Sequence, residues 1–131
     1  MAVHVCDEAL TGFLSVYNPT VLEAHRRWPW FPMPTFTFGA WLAGLIVVVI
    51  VAALLTPFAR ANRRGFRVVA WIAAVLMFGN GLAHIAATIA GRTFADIPVS
   101  RPAPGFDSAF LLLAASGWLM VSLRRTRSSI G

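Results

Sequence analysis

The chain has 131 residues, of which 58% are hydrophobic and 12% charged, and its mean hydropathy is +0.72. This composition excludes an intrinsically disordered chain and disfavours an ordinary soluble domain, in which about 25% of residues are charged. The formal net charge is +6, and arginine supplies all of the permanent positive side chains. These arginines lie in short clusters between apolar runs, which is typical of membrane topology signals, so we expect no nucleic-acid partner.

Taken in chain order, the apolar runs predict four helices. Residues 2–16 form a partial or shortened first helix, which lies in the membrane interface or is the outer half of a spanning helix that starts upstream. The runs at 36–58, 68–91 and 106–123 are close to the length that crosses the ~30 Å hydrocarbon core. Prolines make 92–105 a loop with fixed bends. The predicted fold class is all-α, a single-domain polytopic transmembrane bundle with three full spanning helices and the N-terminal fourth.

The segment between the first two predicted helices carries its own signals. Asn18-Pro19 is typical of a turn or a helix start. Glu23 and His25 precede a pair of arginines and are expected to form a solvated, salt-bridged face. The aromatic and proline-rich stretch 28–32 is typical of a belt at the membrane surface.

The distribution of arginines predicts the orientation of the chain. Seven arginines lie in the 59–67 segment and at the C-terminal end, on one side of the membrane if the last two runs both span. The opposite side holds Arg26, Arg27, Arg92 and Arg101. Because loops rich in arginine stay in the cytoplasm, we predict that the side with seven is cytoplasmic, as in a multi-pass protein of the bacterial inner membrane.

The densest polar cluster is formed by His4, Asp7 and Glu8. On a helix, positions i, i+3 and i+4 share one face, so these side chains would cover an arc of about 100°. Imidazole and carboxylate ligands suit Zn, Fe or Mn, and the same groups suit general acid/base catalysis. The alternative is that they are solvated residues with no further role.

A second cluster lies within the apolar run 68–91. Asn80, His84 and Thr88 follow each other at i, i+4 and i+8 and share one stripe of the predicted helix. A polar group in mid-membrane is costly and by default faces a partner or a cavity. The alternative is a hydrogen bond between helices, which Gly79 and Gly81 would favour by allowing a close approach.

The two clusters are expected to lie at the same depth. His84 is about seven residues, or ~10 Å, from the outer end of its helix, and Glu8 is about as far from Ser15. An unpaired acid at mid-bilayer costs ~2.5–3.5 kcal/mol on insertion scales, so the acids need a histidine, a metal or protonation. Asp107 opens the last helix, where a carboxylate favours the helix N-terminus, and is expected to act as a cap or to join the site.

Three short motifs occur in order around the apolar runs. They are His4-x-x-Asp7-Glu8, Asn80-x-x-x-His84 and Pro104-Gly105-Phe106. Together they resemble the HXXEE-domain family of small bacterial membrane proteins, from residue 4 to about residue 123. The family pattern has glutamate where this chain has Asp7, which keeps the charge but shortens the reach by one methylene. The resemblance implies a four-helix membrane bundle with one joint site and supplies no reaction.

The first functional hypothesis is a membrane-embedded enzyme that acts on a lipophilic small molecule. With a divalent transition metal, His4, Glu8 and His84 would be ligands, and Asp7 would ligate or accept a hydrogen bond. Asn80 would orient substrate or water. Without a metal, a carboxylic acid and a histidine would exchange protons with the substrate. Isomerisation, cyclisation or hydrolysis would suit such a site.

The second hypothesis is a non-catalytic membrane protein, such as a scaffold, a proton relay or a small transporter subunit. Intramembrane acids and histidines also build proton paths. A conducting pore would require a homo-oligomer, and the inner half of every run is almost purely apolar, which ranks transport below catalysis. A third alternative, haem binding through His4 and His84, is compatible with the residue types alone.

Overall fold

The computed structural model describes residues 1–60 and 64–128, and all the regular elements within them are α-helices. They are α1 (Ala2–Leu10), α2 (Leu14–Arg27), α3 (Phe38–Arg60), α4 (Arg64–Ala90) and α5 (Phe106–Ser128). The predicted all-α fold class is confirmed.

Among the described helices, three contain a stretch that is long and apolar enough to cross a membrane. These stretches are Phe38–Thr56 in α3, Gly65–Ala90 in α4 and Phe106–Arg125 in α5. They coincide closely with the predicted runs, although α5 continues beyond the predicted end at residue 123. The predicted 59–67 segment falls mostly on the ends of α3 and α4, and its residues 61–63 lie outside the described residues.

The N-terminal segment differs from the single helix predicted over 2–16. Helix α1 ends at Leu10, and the Phe13 N–H donates to the Glu8 carbonyl across Gly12, whose φ is +75°. A glycine in the left-handed conformation after the last helical turn is a common helix stop. The regular helix is interrupted there, and a second helix, α2, begins at Leu14.

Helix α2 also runs through the Asn18-Pro19 pair, which was expected to be a turn or a helix start. The Asn18 side chain pairs with the backbone of Phe36, donating to its carbonyl at 2.8 Å and accepting from its N–H at 3.0 Å. The Tyr17 hydroxyl donates to the Pro34 carbonyl at 2.9 Å, and burial raises the pKa of that phenol. These bonds tie the proline-rich segment before α3 to α2.

The C-terminal end of α2 carries the predicted salt-bridged face. The Glu23 carboxylate accepts from Arg26 at 2.7 Å and from Arg27 at 2.8 Å. These guanidinium groups lower the pKa of Glu23 to about 2. His25 lies apart from the ion pairs, because its Nε2 is 2.8 Å from the Phe31 carbonyl.

The bundle is packed most closely between α4 and α5. A Cβ added at Gly81 would lie 2.9 Å from Leu113 Cγ, so the glycine allows the two helices to approach. Helix α1 lies against α5 and α3, where Trp41 is buried beside Phe13. Beyond Trp41 most of α3 exposes aliphatic side chains such as Val47, as expected for a surface that faces lipid.

The proline-rich loop 91–105 is fastened to the end of α4. The Thr88 hydroxyl accepts from the Ala103 N–H at 3.0 Å, and Arg101 donates to the Ile89 carbonyl at 3.2 Å. Asp96 accepts from Arg27 at 3.2 Å and from Arg92 at 3.3 Å. The loop is thereby held over the C-terminal ends of α2 and α4.

Candidate functional site

Helix α1 presents His4, Asp7 and Glu8 from little more than one turn. The His4 and Glu8 side chains are buried, and Asp7 is half-buried. Their i, i+3, i+4 spacing aims them at α4 and α5 because residues three and four apart share one helix face.

Helix α4 supplies Asn80 and His84 to the same place. His84 Nε2 lies 3.1 Å from Glu8 Oε1, and His4 Nε2 lies 3.4 Å from that same oxygen. The Asn80 amide nitrogen is 2.9 Å from His4 Nε2. The two imidazole rings meet edge to face with their centroids 5.0 Å apart. The structure thus brings all five predicted site residues into one cluster.

Three of these residues form a group that could hold a metal ion. One ligand atom from each of His4, Glu8 and His84 lies within 4.8 Å of the others. Ligands at 2.0–2.1 Å from a tetrahedral zinc are about 3.3 Å apart, close to the two nitrogen–oxygen separations given above. The 3.1 Å separation between His84 and Glu8 also fits a direct hydrogen bond between histidine and carboxylate.

Asp7 does not belong to that group, because its carboxylate is used elsewhere. Asp7 Oδ2 accepts from the Ser108 N–H at 2.9 Å and from the Ser108 hydroxyl at 2.6 Å. It therefore caps the start of α5, the function expected of Asp107, whose own side chain is exposed in that first turn. Ser108 Oγ is also 2.6 Å from His4 Nδ1.

Thr88, the third member of the predicted α4 stripe, does not reach the ligand atoms. Its hydroxyl donates to the His84 carbonyl at 2.9 Å and accepts from Ala103, so it connects α4 to the loop. Thr88 therefore helps to hold the 91–105 loop in place over the site.

Gly105 closes the site from the loop side. Its φ is +79°, and an added Cβ would lie 2.7 Å from His84 Cε1 and 3.1 Å from Glu8 Cγ. The Gly105 N–H donates to the Thr11 hydroxyl at 3.1 Å, which joins the loop to the end of α1. Only a residue without a side chain fits against His84 here.

A cavity of about 520 Å³ opens beside the cluster, between α2, α4 and the loop. Asn80 and His84 line one end of it, and Arg92 and Thr93 line the other. The α4 residues along its wall run from Asn80 to Ala90, a rise of about 15 Å. Most of the remaining wall is alanine, valine and aromatic side chain, so the cavity suits a lipophilic molecule.

Glu8 lines a second, smaller cavity of about 100 Å³ together with Phe13 and Trp41. Phe13 also lines the larger cavity. The cluster therefore lies between the two cavities, and Asn80 and His84 are its members that face the larger one.

A comparison of the chain with family models, with curated proteins and with solved structures gives no match. The resemblance to the HXXEE-domain family therefore stays a prediction. The chemistry proposed for the cluster therefore depends on its geometry alone.

Proposed function

We propose that this chain is a small integral membrane enzyme that acts on a lipophilic small molecule. The observation that supports it is that the buried His4–Glu8–His84 group adjoins, through His84, a largely apolar cavity of about 520 Å³. A pocket of that size with a few convergent polar groups is the usual form of a small-molecule site. The cluster and the 91–105 loop lie at the end of the bundle opposite the arginine-rich ends of α3, α4 and α5.

The chemistry that we propose is metal-assisted. Two imidazoles and one carboxylate bind Zn, Fe(II) or Mn and leave positions open for water or substrate. A metal held by His4, Glu8 and His84 would polarise a substrate oxygen or activate a water for isomerisation, cyclisation or hydrolysis.

Asn80 is the residue that would orient the substrate. His4 Nε2 has one lone pair, so it cannot accept from the Asn80 amide and bind a metal at the same time. When that nitrogen is a ligand, the Asn80 amide becomes available to a group in the cavity, which it lines. It would hold a substrate oxygen beside His84.

A second candidate is acid/base catalysis without a metal. It is favoured by the 3.1 Å separation of His84 Nε2 and Glu8 Oε1, which is a hydrogen bond between a carboxylate and the histidine that faces the cavity. In this case the Glu8–His84 pair would exchange a proton with the substrate directly.

Cellular placement and assembly belong to the proposal as well. The arginine distribution supports a multi-pass protein of the bacterial inner membrane with its site toward the outer face. The bilayer would be both solvent and source of substrate, and a homo-oligomer is compatible with the exposed aliphatic surface of α3.

The first experiment measures the metal content of detergent-purified protein by mass spectrometry, before and after reconstitution with Zn, Fe(II) or Mn. We expect about one equivalent of one metal in the wild type and its loss in Glu8→Gln and His84→Ala. His25→Ala is the matched control, because this histidine bonds to Phe31 away from the cluster. A wild type that binds none of the three metals would overturn the metal-assisted chemistry.

Catalysis is tested separately on lipid extracts of membranes that produce wild type or His84→Ala. A lipophilic compound that is consumed, with its product formed only by the wild type, would support an enzyme. Extracts that are identical for the two proteins, at equal protein levels, would instead favour a non-catalytic scaffold.

A further inference from the structure

The hydroxyl group of Ser108 bridges two of the α1 side chains. It lies 2.6 Å from Asp7 Oδ2 on one side and 2.6 Å from His4 Nδ1 on the other. Ser108 and His4 are 7% and 4% exposed, so water does not compete effectively for these bonds. The three residues form a short chain of hydrogen bonds that leads to the ligand group.

The direction of this chain follows from the number of protons available. The Ser108 hydroxyl donates its single proton to Asp7 Oδ2. The Ser108 oxygen then accepts from His4 Nδ1–H, while the Asn80 amide nitrogen, which only donates, bonds to His4 Nε2. The lone pair of His4 is therefore at Nε2, the nitrogen that faces Glu8 and Asn80.

We propose that Asp7 and Ser108 are positioning residues that fix the Nδ1–H tautomer of His4 and aim its Nε2 at a bound metal. This inference rests on the proposed metal-assisted function and assigns a task to Asp7, the acid of the cluster that is not among the ligands. Carboxylates and hydroxyls that orient a metal-bound histidine in this way also raise its basicity as a ligand.

The two histidines of the group are held differently. Within the described residues, His84 has no hydrogen-bond partner at Nδ1 comparable to Ser108. Its ring is confined instead by the Gly105 backbone and by Phe13, whose ring centroid is 5.8 Å away. The Asp7–Ser108 hydrogen-bond chain therefore acts on His4 alone, which allows its contribution to be measured separately.

The orienting effect of Ser108 on His4 can be separated from the capping of α5 by Asp7. Asp7 receives two bonds from Ser108, one from the backbone N–H and one from the hydroxyl. Ser108→Ala removes the hydroxyl and keeps the N–H that Asp7 caps. The helix start is thus retained while the link to His4 is lost.

The test combines zinc affinity with the histidine tautomer, read by ¹⁵N NMR of histidine-labelled protein in detergent. We expect Ser108→Ala to bind Zn²⁺ about 10- to 100-fold more weakly than wild type and to lose the defined Nδ1–H tautomer of His4. Ser108→Thr, which keeps a hydroxyl, should restore both. Ser116→Ala is the control, because the bonds of this buried serine among the described residues are to its own helix α5.

The possible outcomes distinguish the orientation of His4 by Asp7 and Ser108 from metal binding by the cluster. The inference is overturned if Ser108→Ala retains wild-type zinc affinity and the wild-type tautomer. It is also overturned if metal-free wild type shows His4 protonated at Nε2. A wild type that binds no metal but shows the Nδ1–H tautomer, lost in Ser108→Ala, would overturn the proposed metal function and leave the orienting effect established.

Discussion

Gly105 shows how tightly single residues are constrained around the cluster. It combines a positive φ of +79° with a position 2.7 Å from the His84 ring, measured from where a Cβ would be. Either feature alone disfavours a side chain, and here both act at one residue. The backbone of the loop thereby serves as one wall of the site.

We expect Gly105→Ala to destabilise the protein and displace His84. The left-handed conformation costs a non-glycine residue about 1–3 kcal/mol in the free energy of unfolding, before the clash is added. Thermal unfolding in detergent and metal affinity should both decrease. Gly79→Ala is the control, since an added Cβ there meets nothing within 4 Å, and an equal loss in both variants would contradict the argument.

The spacing of polar residues carried much of the information about the cluster. The i, i+3, i+4 pattern of α1 and the i, i+4 pattern of α4 predicted two faces, and the cost of buried acids predicted that they would meet. Ser108 was not predicted, because a lone serine in an apolar run has no partner at helical spacing. Its importance depends on which helix end lies against His4, and only the packing shows that.

At the scale of elements, the length of helix α1 is determined by the glycine that ends it. Gly12 follows the last turn and could have been recognised as a helix end, since glycine at that position is a common signal. The prediction extended to residue 16 because apolar residues continue past Gly12. The stop matters for the site, because α1 can tilt onto α4 and α5 independently of α2.

The Asn18 side chain connects α2 to the segment that leads into α3. We expect Asn18→Ala to lower the free energy of unfolding by about 1–3 kcal/mol, because both backbone groups of Phe36 lose their partner. Limited proteolysis should show faster cleavage between residues 28 and 37. The exposed Thr35 offers a control in Thr35→Ala, and cleavage that is equally fast there would contradict the assignment.

The Glu23 cluster gives α2 a predictable dependence on pH. The pKa of Glu23 is lowered from 4.5 to about 2 by Arg26 and Arg27, so its contribution to stability is present above pH 4.5 and is lost as pH falls toward 2. The difference in melting temperature between wild type and Glu23→Gln should be constant from neutral pH to about pH 4.5. It should vanish near pH 2, and a difference that persists unchanged there would contradict the ion-pair origin.

At the scale of the whole molecule, charge and hydropathy predicted more than packing did. The three spanning runs and the all-α class followed from composition and run length. The relation of α1 to α5 and the position of the cavity did not, because they depend on tertiary contacts that no periodicity encodes. The apolar runs are nearly uniform around their circumference, so their sequences do not indicate which face meets a neighbour.

The orientation predicted from the arginines can be tested with single cysteines in a Cys6→Ser background. We expect Ser100→Cys, in the loop over the site, to react with a membrane-impermeant maleimide added outside spheroplasts. Ser129→Cys, the position that follows Ser128 in the sequence, should react only after the membrane is opened. Labelling in the reverse pattern would place the site toward the cytoplasm.

The order of synthesis separates the residues of the cluster in time. Helix α1 leaves the ribosome before α4 and α5, because His84 follows Glu8 by 76 positions and Ser108 follows His4 by 104. Until α4 and α5 are inserted, each α1 acid would cost ~2.5–3.5 kcal/mol at mid-bilayer. If the cluster lies within the bilayer as proposed, α1 would stay at the membrane surface until α4 and α5 are inserted and would then dock against them. The cluster would then be completed last, although three of its five side chains are made before the other two.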